Sequence, residues 1–328
     1  MSKGEPLLDV RGLSVDIRQG ATALRVVNEL SLTVRRGEAV GLVGESGSGK
    51  SMTAFAVMNL FPSPLARVAA GQVLLEGRDL AQMAPAELRA TRGARVGMVF
   101  QDPTSYLDPL MPVGRQIAEP LRAHGRTEGL EARVLELLDL MELPNAARVA
   151  RQYPHELSGG MRQRILIATA LAMQPALLIA DEPTTALDVT VQAEVLDLLR
   201  DLQRERSMAM ILVTHNFGVV ADICDRVAVM YAGEVVEKGP VADVLRRPIH
   251  PYTRALLSAI PRPDTLPGQL PAIEGSPPDL AAPPPGCRFA PRCPLARPDC
   301  AEPPPLVTVG PEHSARCVLA GDDIAPVA

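Results

Sequence analysis

The sequence feature that most constrains the fold is a glycine-rich loop between a short apolar run and a helical pattern. The loop is Gly44-Glu45-Ser46-Gly47-Ser48-Gly49-Lys50-Ser51. Residues 39–43 before it predict a buried strand, and 50–60 after it carry apolar residues at helical spacing until Pro62. Glycines let backbone amides converge on phosphate oxygens, and the following helix presents its positive end. We predict a nucleotide phosphate site, with Lys50 on the β and γ phosphates and Ser51 on Mg²⁺.

Strand and helix patterns alternate along most of the 328-residue chain. Residues 7–15 and 26–34 alternate apolar with polar side chains, which predicts an antiparallel layer of strands. A helical region follows at about 102–160, and apolar runs at 177–180 and 210–213 predict buried strands. Such alternation predicts an α/β fold with a parallel sheet, which binds nucleotide at the carboxyl ends of its strands.

Two acidic residues, Asp181 and Glu182, follow the predicted strand at 177–180. Asp181 ends the strand, where its carboxylate can hold Mg²⁺ through water, and Glu182 can orient and polarise an attacking water. Taken alone, the pair is also compatible with two solvated acids that close a strand. The glycine-rich loop upstream favours the catalytic interpretation.

A serine and two glycines, Ser158-Gly159-Gly160, precede a predicted helix that begins with Met161. A hydroxyl, unobstructed amides and the positive end of a helix together suit an anion. As an isolated tripeptide, the segment is better interpreted as an ordinary helix N-cap.

These three motifs, in this order on one domain, resemble those of ABC transporter ATPase subunits. The resemblance implies that Ser158, Gly159, Gly160 and Met161 bind the ATP held by a second ATPase subunit, so that each site is assembled from two domains. The family usually has glutamine at the position of Met161. Because the chain has a single glycine-rich loop and a single Ser-Gly-Gly segment, a complete unit would need a second chain.

Further positions match the family one at a time. Gln101 resembles the glutamine that binds Mg²⁺ with Ser51 and Asp181 and links the site to the membrane subunits. Asp188, in Ala186-Leu187-Asp188, resembles the loop that meets the partner ATPase. These roles are implied by register with the motifs, because an isolated glutamine is more often structural.

The resemblance also assigns the remaining contacts with ATP. His215 matches the histidine that contacts the γ-phosphate and supports the water held by Glu182. The family usually stacks adenine on an aromatic ring, and Ile17 stands at that position in this chain. An aliphatic contact covers the base with less specificity.

Composition excludes several other classes of function. The formal net charge is −5, with no basic face that would indicate nucleic acid as a partner. Aromatic residues make up only 3% of the chain, which further disfavours binding of single-stranded nucleic acid. No apolar run approaches the length of a membrane span, and the first residues lack the pattern of a signal peptide. We therefore expect a soluble, cytoplasmic chain.

The C-terminal segment is rich in proline and contains four of the five cysteines, Cys287, Cys293, Cys300 and Cys317. Its apolar residues are too few and irregular to form a core, and a cytosolic location disfavours disulfides. Four thiolates suit a 4Fe-4S cluster or a tetrahedral Zn²⁺ ion, and unligated thiols remain a third alternative. His313 is a possible substitute ligand, although a surface histidine is the simpler interpretation.

The segments Pro248-Ile249-His250-Pro251-Tyr252-Thr253, Gly286-Cys287-Arg288-Phe289 and Arg292-Cys293-Pro294 resemble the C-terminal extension of oligopeptide and dipeptide importer ATPases. Some relatives carry an iron-sulfur cluster there. The resemblance implies an ATP-hydrolysing subunit that powers peptide import from the cytoplasmic face of the inner membrane. Its implied partners are two transmembrane permeases, a second ATPase subunit and an extracytoplasmic peptide-binding protein.

The expected fold is a P-loop NTPase of ABC type: an antiparallel β-subdomain, a RecA-like parallel sheet core, a helical subdomain, and a small irregular metal-stapled extension. We expect a nucleotide-binding domain at 1–255 and the extension at 256–328. Related ATPases also serve importers of nickel chelates or glutathione. A soluble ABC ATPase of DNA repair or translation is the alternative from another class.

Overall fold

The computed structural model describes residues 5–20, 22–185, 187–260 and 272–321. The chain divides into two compact units. The first contains 1–7, 34–39 and 82–213, and the second contains 8–33, 40–81 and 214–328. The glycine-rich loop and the C-terminal extension therefore belong to the same unit.

The elements of the described residues follow in chain order. The strands are β1 Leu8–Gln19, β2 Thr22–Val34, β3 Ala39–Val43, β4 Ala66–Leu75, β5 Arg78–Asp79, β6 Val96–Val99, β7 Leu177–Asp181, β8 Ala209–Thr214, β9 Arg226–Tyr231, β10 Glu234–Pro240, β11 Leu306–Gly310 and β12 His313–Arg316. The helices are α1 Lys50–Met58, α2 Pro85–Thr91, α3 Pro103–Tyr106, α4 Val113–Ala123, α5 Leu130–Leu140, α6 Ala146–Val149, α7 Gly159–Leu171, α8 Val189–Glu205, α9 Phe217–Ile223, α10 Val241–Arg246 and α11 Pro251–Ser258.

In the first unit, β6, β7 and β8 form parallel pairs whose central residues are fully buried. Their continuous apolar sequences explain this, because a parallel strand covered on both faces has no polar side. Helices α3 to α6 lie within the predicted helical region of about 102–160, and α7 begins at its end and continues to Leu171. The core of these helices contains Ile117, Leu137, Leu138 and Ile165, which are fully buried.

The second unit contains two sets of strands. One sheet has the order β2-β1-β4-β5, and β1 pairs antiparallel with β4, which confirms the predicted antiparallel layer. In the other set β3 and β9 are parallel, whereas β9, β10, β12 and β11 pair antiparallel in that order. The sheet is therefore mixed. The prediction of a parallel sheet agrees with the pairing of β3 and β9 and is wrong for β10, β12 and β11.

The C-terminal extension contains a β-hairpin, so the prediction of an irregular extension is wrong for residues 306–316. Strand β12 pairs with β11 on one side and with β10 on the other, where Lys238 faces Ser314. Ala315 is fully buried by this pairing. The short hairpin needs no core of its own, because it adds to a sheet that is already formed.

A fully buried carboxylate, Glu237 of β10, lies where this hairpin meets the rest of the unit. Its Oε1 accepts a hydrogen bond from the Ile249 N–H at 2.9 Å, and its Oε2 accepts one from the His250 N–H at 2.9 Å. The Nε2 of His313 lies 2.8 Å from Oε1. His313 is only 6% exposed, so the interpretation as a surface histidine is wrong. The partner of His313 is the carboxylate of Glu237, and the sequence alone does not indicate that this carboxylate is buried.

Candidate active site

The glycine-rich loop lies between β3 and α1 and packs closely against the backbone behind it. Gly49 has a φ of 99°, in the left-handed region. A Cβ at Gly49 would lie 2.6 Å from the Val26 carbonyl oxygen, and one at Gly44 would lie 2.1 Å from that of Met230. Side chains at both positions are excluded by backbone atoms, so these glycines fix the shape of the loop.

The ammonium group of Lys50 lies within the curve of this loop. Its Nζ donates to the carbonyl oxygens of Gly44 at 2.8 Å and Glu45 at 2.9 Å, and the residue is 5% exposed. The buried Ser48 Oγ has no hydrogen-bond partner within the part of the chain that the structure describes. Burying such a group costs about 1–3 kcal/mol. A buried cation beside an unsatisfied hydroxyl fits the phosphate group predicted for this loop.

Two side chains of the second unit, one aromatic and one basic, hold Glu45 in the loop. The Glu45 N–H donates to the Tyr252 hydroxyl at 2.8 Å, and the Arg292 guanidinium contacts the Glu45 carboxylate. Tyr252 packs against Tyr231 and Phe289, and all three are buried. In the sequence, Tyr252 and Arg292 are distinguished only because they lie in segments that resemble a known family. No local pattern links either residue to the loop.

In the first unit, Glu182 and Gln101 are brought into contact at the ends of neighbouring parallel strands. Asp181 ends β7 and is 3% exposed. The Glu182 Oε2 accepts hydrogen bonds from the Gln101 Nε2 at 3.0 Å and the Thr185 Oγ1 at 2.9 Å. Its backbone has a φ of 45°, and its N–H donates to the Val213 carbonyl at 2.9 Å. Such left-handed strain at a non-glycine residue is typical of active sites.

The Ser-Gly-Gly segment forms the start of α7 in the same unit. The Ser158 Oγ accepts from the Met161 N–H at 3.3 Å, as expected of an N-cap. Asp188 caps α8 in the same way through the Val191 N–H at 3.0 Å. A Cβ at Gly160 would lie 2.5 Å from the Val191 Cγ1, so the start of α7 is packed against α8. The two predicted partner-facing segments are therefore neighbours.

Two further predicted contacts of ATP belong to the second unit. Ile17 is half-buried in β1 and pairs with Ala66. His215 follows β8 and is exposed. Their roles toward adenine and γ-phosphate remain predictions.

The predicted Mg²⁺ ligands are oxygen donors, which is the chemistry that this ion prefers. Ser51 is the second residue of α1 in the second unit, whereas Gln101 and Asp181 belong to the first. Because the Gln101 Nε2 donates to Glu182, the amide oxygen is the atom left to face a metal. Each of these residues by itself offers the oxygen chemistry that Mg²⁺ requires, and their common site remains a prediction.

The four cysteines of the extension line one cavity with His250 and Phe289. Burial raises the pKa of the Cys287 and Cys293 thiols, and it raises that of Cys317 to about 11. Among the described residues, however, no three His, Cys, Asp or Glu side chains are grouped so that they could hold one metal ion. Cys224 is buried in the core, as expected.

The prediction of a metal-stapled extension is therefore not supported by this arrangement. The extension is held instead by contacts with the rest of its unit. Phe289 is 1% exposed and packs edge-on against Tyr231 at a centroid distance of 5.2 Å. His250 lies next to Phe289, and burial lowers the pKa of its imidazole to about 3. Aromatic residues contributed by both parts form the core that the extension alone lacks.

Comparison with known proteins decides the family. Residues 27–185 match the family described as ABC transporter, and 236–300 match the one described as oligopeptide/dipeptide transporter, C-terminal region. A Brucella abortus protein named for peptide import and ATP binding is 48% identical over 317 residues, covering 96% of this chain and 95% of the relative. A Brucella ovis protein with the same description is 50% identical, covering 96% and 97%. The chain belongs to the ABC transporter ATP-binding proteins.

Solved ABC structures agree with this assignment. The dimeric ATP-binding cassette MJ0796, in a post-hydrolysis state bound to ADP and Pi, has a TM-score of 0.64 and 29% identity, over 71% of this chain and 98% of its own. Clostridium perfringens cbiO1, part of the ABC transporter complex cbiONQ, has a TM-score of 0.60 and 25% identity, over 73% and 90%. This ABC protein therefore hydrolyses ATP, and the family resemblance drawn from its motifs is confirmed.

Within the described ranges, no helix of this ABC ATPase combines the length and the apolar composition needed to cross a membrane.

Proposed function

We propose that this ABC ATPase powers the import of dipeptides or oligopeptides through partner permeases. The observation that carries the proposal is the joint presence of the ATPase motifs and the peptide-transporter C-terminal region on one chain. Relatives named for peptide import match nearly the whole chain, extension included. The proposed assembly contains two transmembrane permeases, a second ATPase subunit and an extracytoplasmic peptide-binding protein. It places this chain on the cytoplasmic face of the membrane.

We propose for the site residues the roles that the motifs and the family resemblance predict. Lys50 and the loop amides bind the β and γ phosphates, while Ser51, Gln101 and Asp181 hold Mg²⁺, which neutralises phosphate charge when bound. Glu182 orients the attacking water. The hydrogen bond between Gln101 and Glu182 supports this role of Glu182, because Gln101 would then contact both the metal and the catalytic carboxylate.

The proposed second subunit completes the site. MJ0796 is dimeric with ADP and Pi bound. In this chain Ser158 and Gly159, at the start of α7, are exposed. Ser158, Gly159, Gly160 and Met161 would contact the γ-phosphate held by the partner. ATP then favours the closed pair because it binds that state better, and hydrolysis removes the preference.

Uptake by cells lacking only this gene tests the proposal. We expect labelled dipeptides or oligopeptides to enter when the wild-type chain is restored, and not when Lys50→Ala is restored at equal abundance. If the restored cells take up a nickel chelate or glutathione but not peptides, the chain serves a related importer instead. Normal peptide uptake without the gene would refute the proposal.

We also propose that the four cysteines of the extension hold a 4Fe-4S cluster, with Zn²⁺ as the alternative. All four line one cavity, yet they are not grouped for a single ion. One tetrahedral Zn²⁺ with Zn–S bonds of about 2.3 Å needs tightly converging sulfurs. In a 4Fe-4S cluster each cysteine binds a different iron, so the thiolates stand further apart. The cluster would add cross-links within the extension and a one-electron redox centre.

Anaerobic purification of the full-length chain tests the cluster. We expect a brown protein with about four irons and four sulfides per chain. Cys300→Ser is expected to lose most of the iron, whereas the matched control Cys224→Ser keeps it, because Cys224 lies outside the cavity. A colourless, zinc-loaded protein would establish the alternative metal, and a metal-free protein would refute both.

A further inference from the structure

We propose that Arg292 of the C-terminal extension positions the phosphate-binding loop, so that the extension sets the affinity of this subunit for ATP. The inference rests on the assignment of the glycine-rich loop to ATP binding. It concerns a contact within the second unit, between two residues that are 247 positions apart in the chain.

The first observation is a two-point contact between the extension and the loop. The Arg292 Nη1 donates to the Glu45 Oε2 at 2.9 Å, and its Nη2 donates to the Glu45 Oε1 at 3.2 Å. The Arg292 side chain is 5% exposed and that of Glu45 is 26% exposed. Planar guanidinium and carboxylate groups paired in this way fix orientation as well as distance.

Arg292 is itself held in place by two carbonyl groups of the extension and by Tyr231 of β9. Its Nε donates to the Glu274 carbonyl at 3.0 Å, and its Nη2 also donates to the Ile273 carbonyl at 3.2 Å. The Nη1 contacts the Tyr231 hydroxyl at 3.2 Å. Three groups besides Glu45 therefore anchor the guanidinium, so the extension can act as a fixed support for the loop.

A second arginine of the extension, Arg288, supports the loop indirectly, through the turn between β9 and β10. Arg288 donates through Nη1 to the Ala232 carbonyl, and its Nε lies 3.2 Å from the Glu234 Oε1. These contacts hold the turn between β9 and β10. In that turn the Gly233 N–H donates to the Ser48 carbonyl at 2.9 Å. The loop is thus supported at Glu45 by Arg292 and at Ser48 through Arg288.

The contact at Glu45 bears directly on the phosphate site. The Glu45 carbonyl is one of the two oxygens that receive the Lys50 ammonium group. The Glu45 side chain is a carboxylate next to the predicted site of a triphosphate. The negative charges of the two groups repel each other unless the carboxylate is turned away and its charge is neutralised. Arg292 does both. Without Arg292, the carboxylate would be free to turn toward the phosphates and the Lys50 support would loosen.

A double-mutant cycle on the full-length chain tests the proposal, with the dissociation constant of Mg-ATP as the readout. We expect Arg292→Gln to weaken ATP binding about tenfold, which is about 1.4 kcal/mol. In a Glu45→Gln background the same change is expected to have almost no effect, because Arg292 acts through the Glu45 carboxylate. Arg247→Gln, in an exposed arginine of the same unit, is the matched control and is expected to leave binding unchanged.

Arg292→Lys separates positioning from charge and remains useful if Arg292→Gln fails to fold. Lysine keeps the charge but not the paired geometry, so we expect it to restore ATP affinity only in part. Full restoration by lysine would overturn the positioning role. So would an unchanged dissociation constant in folded Arg292→Gln protein, or an equal loss in both backgrounds. A wild-type chain that does not bind Mg-ATP would instead refute the ATP site itself.

Discussion

Glu182→Gln is expected to reduce ATP hydrolysis at least about 100-fold while leaving Mg-ATP binding intact, because a positioned general base contributes roughly 10²–10⁴ in rate. The hydrogen bonds from Gln101 and Thr185 end on one oxygen, Oε2, which the amide oxygen of glutamine can replace. Gln101 and Thr185 therefore keep their partner, whereas the capacity to polarise water is lost. Phosphate release and ATP binding should be measured on the same preparation.

The control is Glu205→Gln, an exposed acid at the end of α8 in the same unit. It carries the same chemical change at a position without a predicted role, and we expect wild-type turnover. If Glu182→Gln also hydrolysed ATP at a near-normal rate, another group would have to orient the water. A loss of ATP binding in this variant would contradict the isosteric argument.

Glu237→Gln is expected to lower the free energy of unfolding by about 3 kcal/mol, because the side chain is fully buried among donors. The Ile249 and His250 N–H groups both point at the carboxylate, and His313 lies against it. A glutamine amide in either orientation would direct its own N–H groups at one of these donors. Urea denaturation of the full-length chain at neutral pH measures the loss.

Glu302→Gln provides the comparison for this stability measurement. Glu302 lies in the extension, within the same unit as Glu237, but is exposed, so its change in stability is expected to stay within about 0.5 kcal/mol. An equally small change for Glu237→Gln would show that water or a structural shift satisfies the buried donors. ATP hydrolysis per folded molecule is expected to be retained, since Glu237 lies outside the predicted ATP contacts.

The sequence pattern predicted the local elements of the site well. Strand β3 has the predicted bounds, because a continuous apolar run is followed directly by Gly44. The placement of Glu182 after β7 and of Ser158 before α7 follows from equally local signals. Predicting contacts between these elements required the family resemblance, because the spacing of residues alone does not show which strand ends are neighbours.

Interactions made across long sequence separations could not be predicted. Arg292 and Glu45 are ordinary charged residues by any local criterion, and only the fold brings them together. His313 and Glu237 have the composition of surface residues, yet both are buried because they satisfy each other. The proline-rich composition likewise concealed the hairpin of β11 and β12, because its partner strand lies about 70 residues earlier in the chain.

The pairing of β12 with β10 has a consequence for the solubility of any shortened form of the protein. With the hairpin present, the strand at this edge is the five-residue β11, and short edge strands resist pairing with other molecules. Removing the hairpin would leave β10 as an open edge with unpaired backbone donors and acceptors. Such an edge is a template for aggregation or strand exchange between copies. The extension thereby covers the β10 edge, which would otherwise be open to pairing with a strand of another molecule.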